Sequence, residues 1–353
     1  MPTLREKTAA LTFILVAASA SSPVFACATC GCSLSTDAAM GYSAASGWRF
    51  NLQYDYINQN QLRLGSHSIA PNEVATVNNS GGDQEVEKDT INRYFTLGLY
   101  YSPNASWNLG LQIPYIDRRH TTYGSGTNPL TPDQVSGTTI SGLGDVKFIT
   151  SYQGFLPTHN LGVQLGVKLP TGDYGGPNAD GTGVVGHEPK AFTSGPASQA
   201  ASPDNLVDTS LQAGTGSTDV IIGAYYYQAV SQDFDAFING QLQSAVKEKL
   251  DQTGANFRPG NLATLSFGLR DEANPDVVPQ LQINLSHKSR DQGALADTTD
   301  SAGTTAYLSP GVTMSVIKNL QVYGFAQVPV YSHLDGYQLF PRWTATVGLS
   351  ATL

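Results

Sequence analysis

Apolar and polar side chains alternate along this chain with a period of two, the signature of extended strands that have one greasy and one wet face. Between Gly47 and Ile57, Trp48, Phe50, Leu52, Tyr54 and Tyr56 share one side, and Arg49, Asn51, Gln53 and Asp55 share the other. Residues 343 to 353 repeat the pattern, with Trp343, Ala345, Val347, Leu349, Ala351 and Leu353 set against Thr344, Thr346, Gly348, Ser350 and Thr352. Ten more segments carry it: Thr90 to Tyr101, Ser106 to Arg118, Gly144 to Gln153, Asn160 to Pro170, Thr218 to Ala229, Phe234 to Lys247, Asn261 to Asp271, Val278 to Lys288, Thr305 to Val316 and Leu320 to Tyr331. Each has roughly the 9 to 11 residues that a tilted strand needs to cross a hydrocarbon layer.

The connections take turns between short and long. Ser102 to Ala105, Gly154 to His159, Val230 to Asp233, Glu272 to Val277 and Ile317 to Asn319 are tight. Asn58 to Asp89, His120 to Gly142, Thr171 to Ser217, Glu248 to Gly260, Ser289 to Thr304 and Ser332 to Pro341 are longer. A soluble sandwich has no reason to collect its long loops at one end, whereas a barrel with short periplasmic turns and long external loops does. The expected fold is therefore all-β: a transmembrane, antiparallel, up-and-down β-barrel of about 12 strands, its even strand number placing both termini in the periplasm. Aromatics agree, with Trp48, Tyr101, Trp107, Tyr152 and Tyr226 at the expected periplasmic strand ends and Tyr54, Tyr56, Phe95, Tyr115 and Trp343 at the external ends.

Composition supplies an address. Residues 1 to 26 read as a cleaved export signal, with Arg5 and Lys7, an apolar stretch from Ala9 to Ala20, and Val24-Phe25-Ala26 before the cut. Residues 27 to 46 form a cysteine-containing periplasmic segment, a tail or a plug, and 47 to 353 form the barrel. No later apolar run approaches a membrane helix, mean hydropathy is -0.18, and only 13% of residues are charged. The formal net charge of -9 argues against nucleic acid as a partner, since no basic patch is present to neutralise phosphate. The expected location is the outer membrane of a Gram-negative bacterium.

Two glycine-rich motifs stand out: Gly142-Leu143-Gly144-Asp145-Val146 at the opening of the fourth strand, and Lys168-Leu169-Pro170-Thr171-Gly172-Asp173 at the close of the fifth. Together with the signal and the terminal strand, they resemble the outer-membrane barrel family named for the meta-pathway of phenol degradation, over roughly Trp48 to Leu353. The resemblance implies a porin-like transporter of small hydrophobic compounds. Read physically, the glycines let a loop enter a strand at unusual backbone angles and the Pro-Thr-Gly-Asp run turns a strand outward, so both motifs are taken as structural.

Strand parity aims a polar wall inward: Arg49, Asn51, Gln53 and Asp55; Asn92 and Gln112; Lys147, Gln164 and Lys168; Asp219, Asn239, Gln241 and Gln243; Arg270, Gln280, Gln282 and Asn284; Gln321, Tyr323 and Gln327. Amides predominate and charges of both signs mix, which suits water or neutral solutes and imposes no strong ion filter. The function expected is passive passage of small, hydrophobic or neutral molecules, without catalysis and without a cofactor. Expected partners are outer-membrane lipid, the solute, and the barrel assembly machinery, for which the terminal strand is a recognition tag.

Cys27, Cys30 and Cys32 are the sharpest chemical motif. A local disulfide or a bridge to a periplasmic partner comes first, a soft metal such as Cu(I) or Zn(II) second, and lipidation third. They motivate an alternative function as a structural, redox or metal-handling scaffold. A further alternative, an outer-membrane lipase, would need His287 with Ser286 or Ser289, although neighbours on a strand point to opposite faces. The other histidines, His67, His120, His159, His187 and His333, lie in loops, turns or strand ends and are read as solvated.

Overall fold

In a computed structural model, which describes residues 46–82 and 84–353, the chain folds around one closed antiparallel sheet, with two small two-stranded sheets in its loops. Its staves are β1 (Gly47–Gly65), β2 (Glu87–Asn104), β3 (Trp107–Thr122), β4 (Ser136–Leu143 continued by Val146–Tyr152), β5 (Leu161–Leu169), β6 (Ser217–Ala229), β7 (Phe234–Glu248), β8 (Leu262–Asp271), β9 (Val277–Lys288) and β10 (Gly303–Ile317). The last element, Leu320–Thr352, supplies two staves: β11, residues 320–334, pairs with β10, and β12, residues 337–352, pairs with β1. That makes twelve. The expected all-β barrel is what forms, and the terminal strand is its closing seam, with Phe50 opposite Ala351, Leu52 opposite Leu349 and Tyr54 opposite Val347. Closure pairs every stave with both neighbours between the two aromatic levels, where a bilayer would penalise a free edge heavily; Ser136–Leu143, beyond that zone, has a ladder on one side.

The alternation becomes two faces. Leu52, Leu97, Leu165, Ile222, Leu281 and Val347 point outward and are exposed, whereas Asn51, Asn92, Gln282 and Thr346, on the opposite parity, are buried. Around the outside, aromatic pairs form at two levels. Trp48 with Tyr101 and Trp107 with Tyr152, each pair 4.8 Å between ring centroids, ring the end where both described termini lie. Tyr54 with Phe95 at 4.8 Å and Tyr56 with Trp343 at 5.6 Å ring the level towards the long loops.

Two expectations need correcting. The loop expected from Ser332 to Pro341 is a tight turn at Asp335-Gly336, where Gly336 takes a positive φ of 64°. The strands continue past the aromatic ring because pairing persists there, Gln61 with Phe340 and Leu64 with Tyr337, and because that pairing buries Leu62, Leu334, Leu339 and Phe340. A short helix α1 (Pro71–Asn79) caps this extension, with Val74 and Ala75 packed on Leu62, Val86 and Leu339 and the Glu73 carboxylate accepting from the Ala70 N–H at 3.0 Å. Likewise the fourth strand starts at Ser136, inside what was expected to be loop.

That fourth strand is broken at Gly144-Asp145. Its outer part pairs with β3 from Tyr115–Leu143 to Thr122–Ser136, and its inner part from Gln112–Lys147 to Trp107–Tyr152. Pro114, facing the break, has no N–H to give; its carbonyl accepts from Gly144 N at 2.8 Å. On the other side, the Thr171 hydroxyl donates to the Gly144 carbonyl at 2.9 Å and accepts from Val146 N at 3.0 Å. One side chain thus stands in for a missing ladder partner on both sides of the break.

Candidate functional site

The interior is organised in three levels. Nearest the described termini, inward aromatic rings lie over glycines: Tyr100 faces Gly110, Tyr225 faces Gly162, Phe237 faces Gly268 and Phe325 faces Gly311 across paired strands. A methyl group at Gly162, Gly268 or Gly311 would sit 2.1 to 2.2 Å from a ring carbon, so only glycine admits the ring. Tyr323 does the same over Gly348, its hydroxyl donating to Asn51 Oδ1 at 3.2 Å and to Gln53 Oε1 at 3.0 Å. Arg49 stacks its guanidinium 4.6 Å above the Tyr100 ring. Sequence reasoning placed Tyr323 on the polar wall but missed this set. The signal available was an aromatic on the inward parity directly opposite a glycine.

The second level, which interleaves with these rings at its terminus end and continues beyond them, is a hydrogen-bonded amide and hydroxyl wall. Gln53 donates to Asp55 Oδ2 at 2.9 Å, and Thr346 donates to Asp55 Oδ1 at 2.6 Å. Gln280 donates to Thr313 at 2.9 Å and receives from Gln282 at 3.3 Å. Asn284 donates to Ser309 at 2.8 Å and to Gln327 at 3.3 Å. Gln112, half-buried, donates to the Tyr100 hydroxyl at 3.1 Å; Gln321, also half-buried, reaches Ser315 at 3.5 Å. Arg270 pairs with Glu272 at 2.7 Å. Lys147 and Gln241 are half-buried, and Gln164 and Asn239 are buried.

Where the strand break meets this wall, the two glycine-rich motifs interlock. Lys168 Nζ reaches Asp145 Oδ2 at 2.9 Å and Asp219 Oδ2 at 3.2 Å, and also donates to Thr215 and Ser217. Asp145 further accepts from Gly172 N at 3.2 Å and from Thr215 N at 3.0 Å, while Asp219 accepts from Gln243 at 2.6 Å and from Ser217 at 2.6 Å. Each carboxylate is therefore held by a cation and by neutral donors, the condition for keeping charges buried. The motifs are structural, as read, but they act together as one clamp.

The third level lies beyond the aromatic ring on the loop side. Residues 170–216 fold into the mouth, burying Val207, Leu211 and Ala213 against Ile116 and Ile140. Arg118 fastens them: its guanidinium donates to the Leu211 carbonyl and, at 3.3 Å, to the Gln212 carbonyl, while Nε donates to Asn92 at 2.6 Å. His120 departs from the expectation of a solvated histidine. It is 0% exposed, shares a 2.8 Å hydrogen bond with Thr90, and turns Nε2 towards Glu85 at 3.7 Å. Glu85 and Glu87 lie there with Asp208, Asp297 and Asp300 from two other loops. Burial first, and then the neighbouring Glu85 charge, push Glu87 up to about 8 and Asp208 up to about 7. Burial, then Asp297, raises Asp300 to about 6. Glu85 is itself lowered, because hydrogen bonds and charge from His120 outweigh the burial that opposes them.

Of the other expected sites, Cys27, Cys30 and Cys32 and the signal lie outside the described residues. His287 sits on the opposite face from Ser286, which is buried, and its Nδ1 has no hydrogen-bond partner. Ser289 Oγ accepts from Asn261 N at 2.8 Å, and among the described residues no hydrogen bond joins His287 to either serine, as a lipase pair would need.

A crystal structure of an outer-membrane channel from Pseudomonas putida F1 superposes on the chain with a TM-score of 0.59 at 10% identity, covering 89% of this chain and 98% of that one. The fold is that of an outer-membrane barrel. Superpositions with TM-scores below 0.5 include the β domain of the Bordetella autotransporter BrkA (0.45, 11% identity, 88% of this chain and 100% of that one) and the Ralstonia pickettii toluene transporter TbuX (0.43, 10% identity, 93% and 97%). No protein-family model matches the sequence, and no curated protein does.

Proposed function

We propose that the chain is an outer-membrane channel for passive passage of small neutral or hydrophobic molecules. One observation carries this reading: a closed barrel whose outer face is an apolar belt between two aromatic rings and whose inner face is a wall of amides and hydroxyls. The belt matches a bilayer and the wall offers hydrogen bonds to a solute without selecting one sign of charge. The Pseudomonas putida protein of the same fold is itself an outer-membrane channel. On this reading the end with both termini faces the periplasm, the loop end faces outward, the surrounding partner is outer-membrane lipid, and the closing strand β12 is presented to the barrel assembly machinery. Solute-specific uptake into proteoliposomes tests the proposal. Entry of small neutral and aromatic solutes above protein-free vesicles is expected, and uptake no faster than through lipid alone for every solute tried would overturn it.

A further inference from the structure

Carboxylates from three separate segments meet at the loop end around one cavity of about 50 Å³. Glu85 and Glu87 come from the entry to β2, Asp208 from residues 170–216, and Asp297 and Asp300 from residues 289–302. From β3, His120 faces Glu85, and Arg118 grips the same long loop a few residues past Asp208, at Leu211 and Gln212. Asp208 and Glu85 line the same cavity, and after burial the Glu85 charge is the main influence raising Asp208. Carboxylates buried around so small a space repel one another unless some of them keep their protons.

The position of Asp208 gives its proton leverage. Val207 on one side of it and Leu211 on the other are the anchors that bury the loop against Ile116 and Ile140. Glu87 secures the opposite wall, accepting from Leu339 N at 3.2 Å, and Asp300 accepts from Tyr337 N at 3.1 Å on the β12 side. We propose that these carboxyls form a proton-operated latch, which seats the stretch from Val207 to Leu211 against Ile116 and Ile140 at acidic pH and lets it lift as the carboxyls ionise. Ionisation sets Asp208 against the charges on Glu85, Asp297 and Asp300, which opposes the seating that Arg118 supports at Leu211 and Gln212 while Gly137 and Thr138 keep hold of residues 191–194. The raised values of Asp208 and Glu87 put this change in the range from mildly acidic to mildly alkaline.

Hydrogen exchange read by mass spectrometry on the full-length barrel tests the latch without relying on transport. After correction for intrinsic exchange chemistry, protection of the segment around Val207 to Leu211 is expected to fall at least ~10-fold from pH 5.5 to pH 8.5. Asp208→Asn, and separately Glu87→Gln, keep a neutral side chain at every pH and are expected to retain at least part of the acidic-pH protection at pH 8.5. Equal protection at both pH values in the wild type, or a fall in both variants as large as in the wild type, would overturn the latch. A barrel that passes no solute would still show the exchange change, so failure of the channel reading and failure of the latch are separable.

Discussion

Replacing Lys168 with methionine should be among the most damaging single changes in the barrel wall. The lysine is buried between Asp145 and Asp219, at 2.9 and 3.2 Å, and among the described residues it is the only cation in ion-pair contact with either. Methionine keeps most of the side-chain volume but removes the charge and the donors to Thr215 and Ser217. Two buried carboxylates then face each other with only neutral donors left. Breaking a buried pair in this way costs about 3–5 kcal/mol, far more than the pair contributes when intact. The cost should shrink when one of the stranded charges is removed. Lys168→Met with Asp219→Asn is expected to recover about 1 kcal/mol or more of that loss, a coupling within the usual range for contacting groups. The assay is reversible guanidinium unfolding of the barrel folded into lipid vesicles at pH 7, followed by the fluorescence of Trp48, Trp107 and Trp343. A single variant within about 0.5 kcal/mol of wild type, or a double variant no more stable than the single, would refute the electrostatic reasoning and reduce the cluster to ordinary polar packing.

Gly268→Ala should cost about 1–3 kcal/mol in the same assay, because its methyl group would sit 2.2 Å from the Phe237 ring; Phe237→Leu in that background should return part of the loss, and simple additivity would show that the ring does not occupy the glycine. Arg118→Met should leave the barrel folded but release residues 170–216, read as faster proteolysis within that loop at a fixed pH; unchanged cleavage would mean the carbonyl contacts at Leu211 and Gln212 do not hold it. Stability should depend on pH in an unusual direction. Glu87 and Asp208 are raised from ordinary values of 4.5 and 3.8 to about 8 and about 7, so the folded state keeps protons that the unfolded chain has already released. Their contribution is complete below about pH 4 and is lost as pH rises through 7 and 8, so the unfolding midpoint should fall between pH 5 and pH 9, with a shallower fall in Glu87→Gln; a midpoint rising over that interval would contradict the assignment.

How much of this was legible beforehand depends on the range of the interaction concerned. Strand alternation is local, and the eleven residues from Trp343 to Leu353 announce their two faces without help from anything else, so the strands and the closing seam could be read directly. Strand ends were less legible, because β1 runs on to Gly65 only where Leu62 finds Val74, Val86 and Leu339 to bury against, and those partners lie in a helix and in strands far along the chain. The clamp was half legible: both glycine-rich motifs were conspicuous, yet nothing in either says that Thr171 will mend the backbone beside Asp145 until β4 and β5 are paired in register. The latch was illegible. Glu85, Asp208 and Asp300 are each an unremarkable acid in a loop, and what sets them apart is burial together, a property of how three loops close over one mouth. A wall built by period-two pairing can therefore be deduced residue by residue, whereas the chemistry at its rim arises where chain segments with no local signal converge, and that is where experiments on this barrel have most to teach.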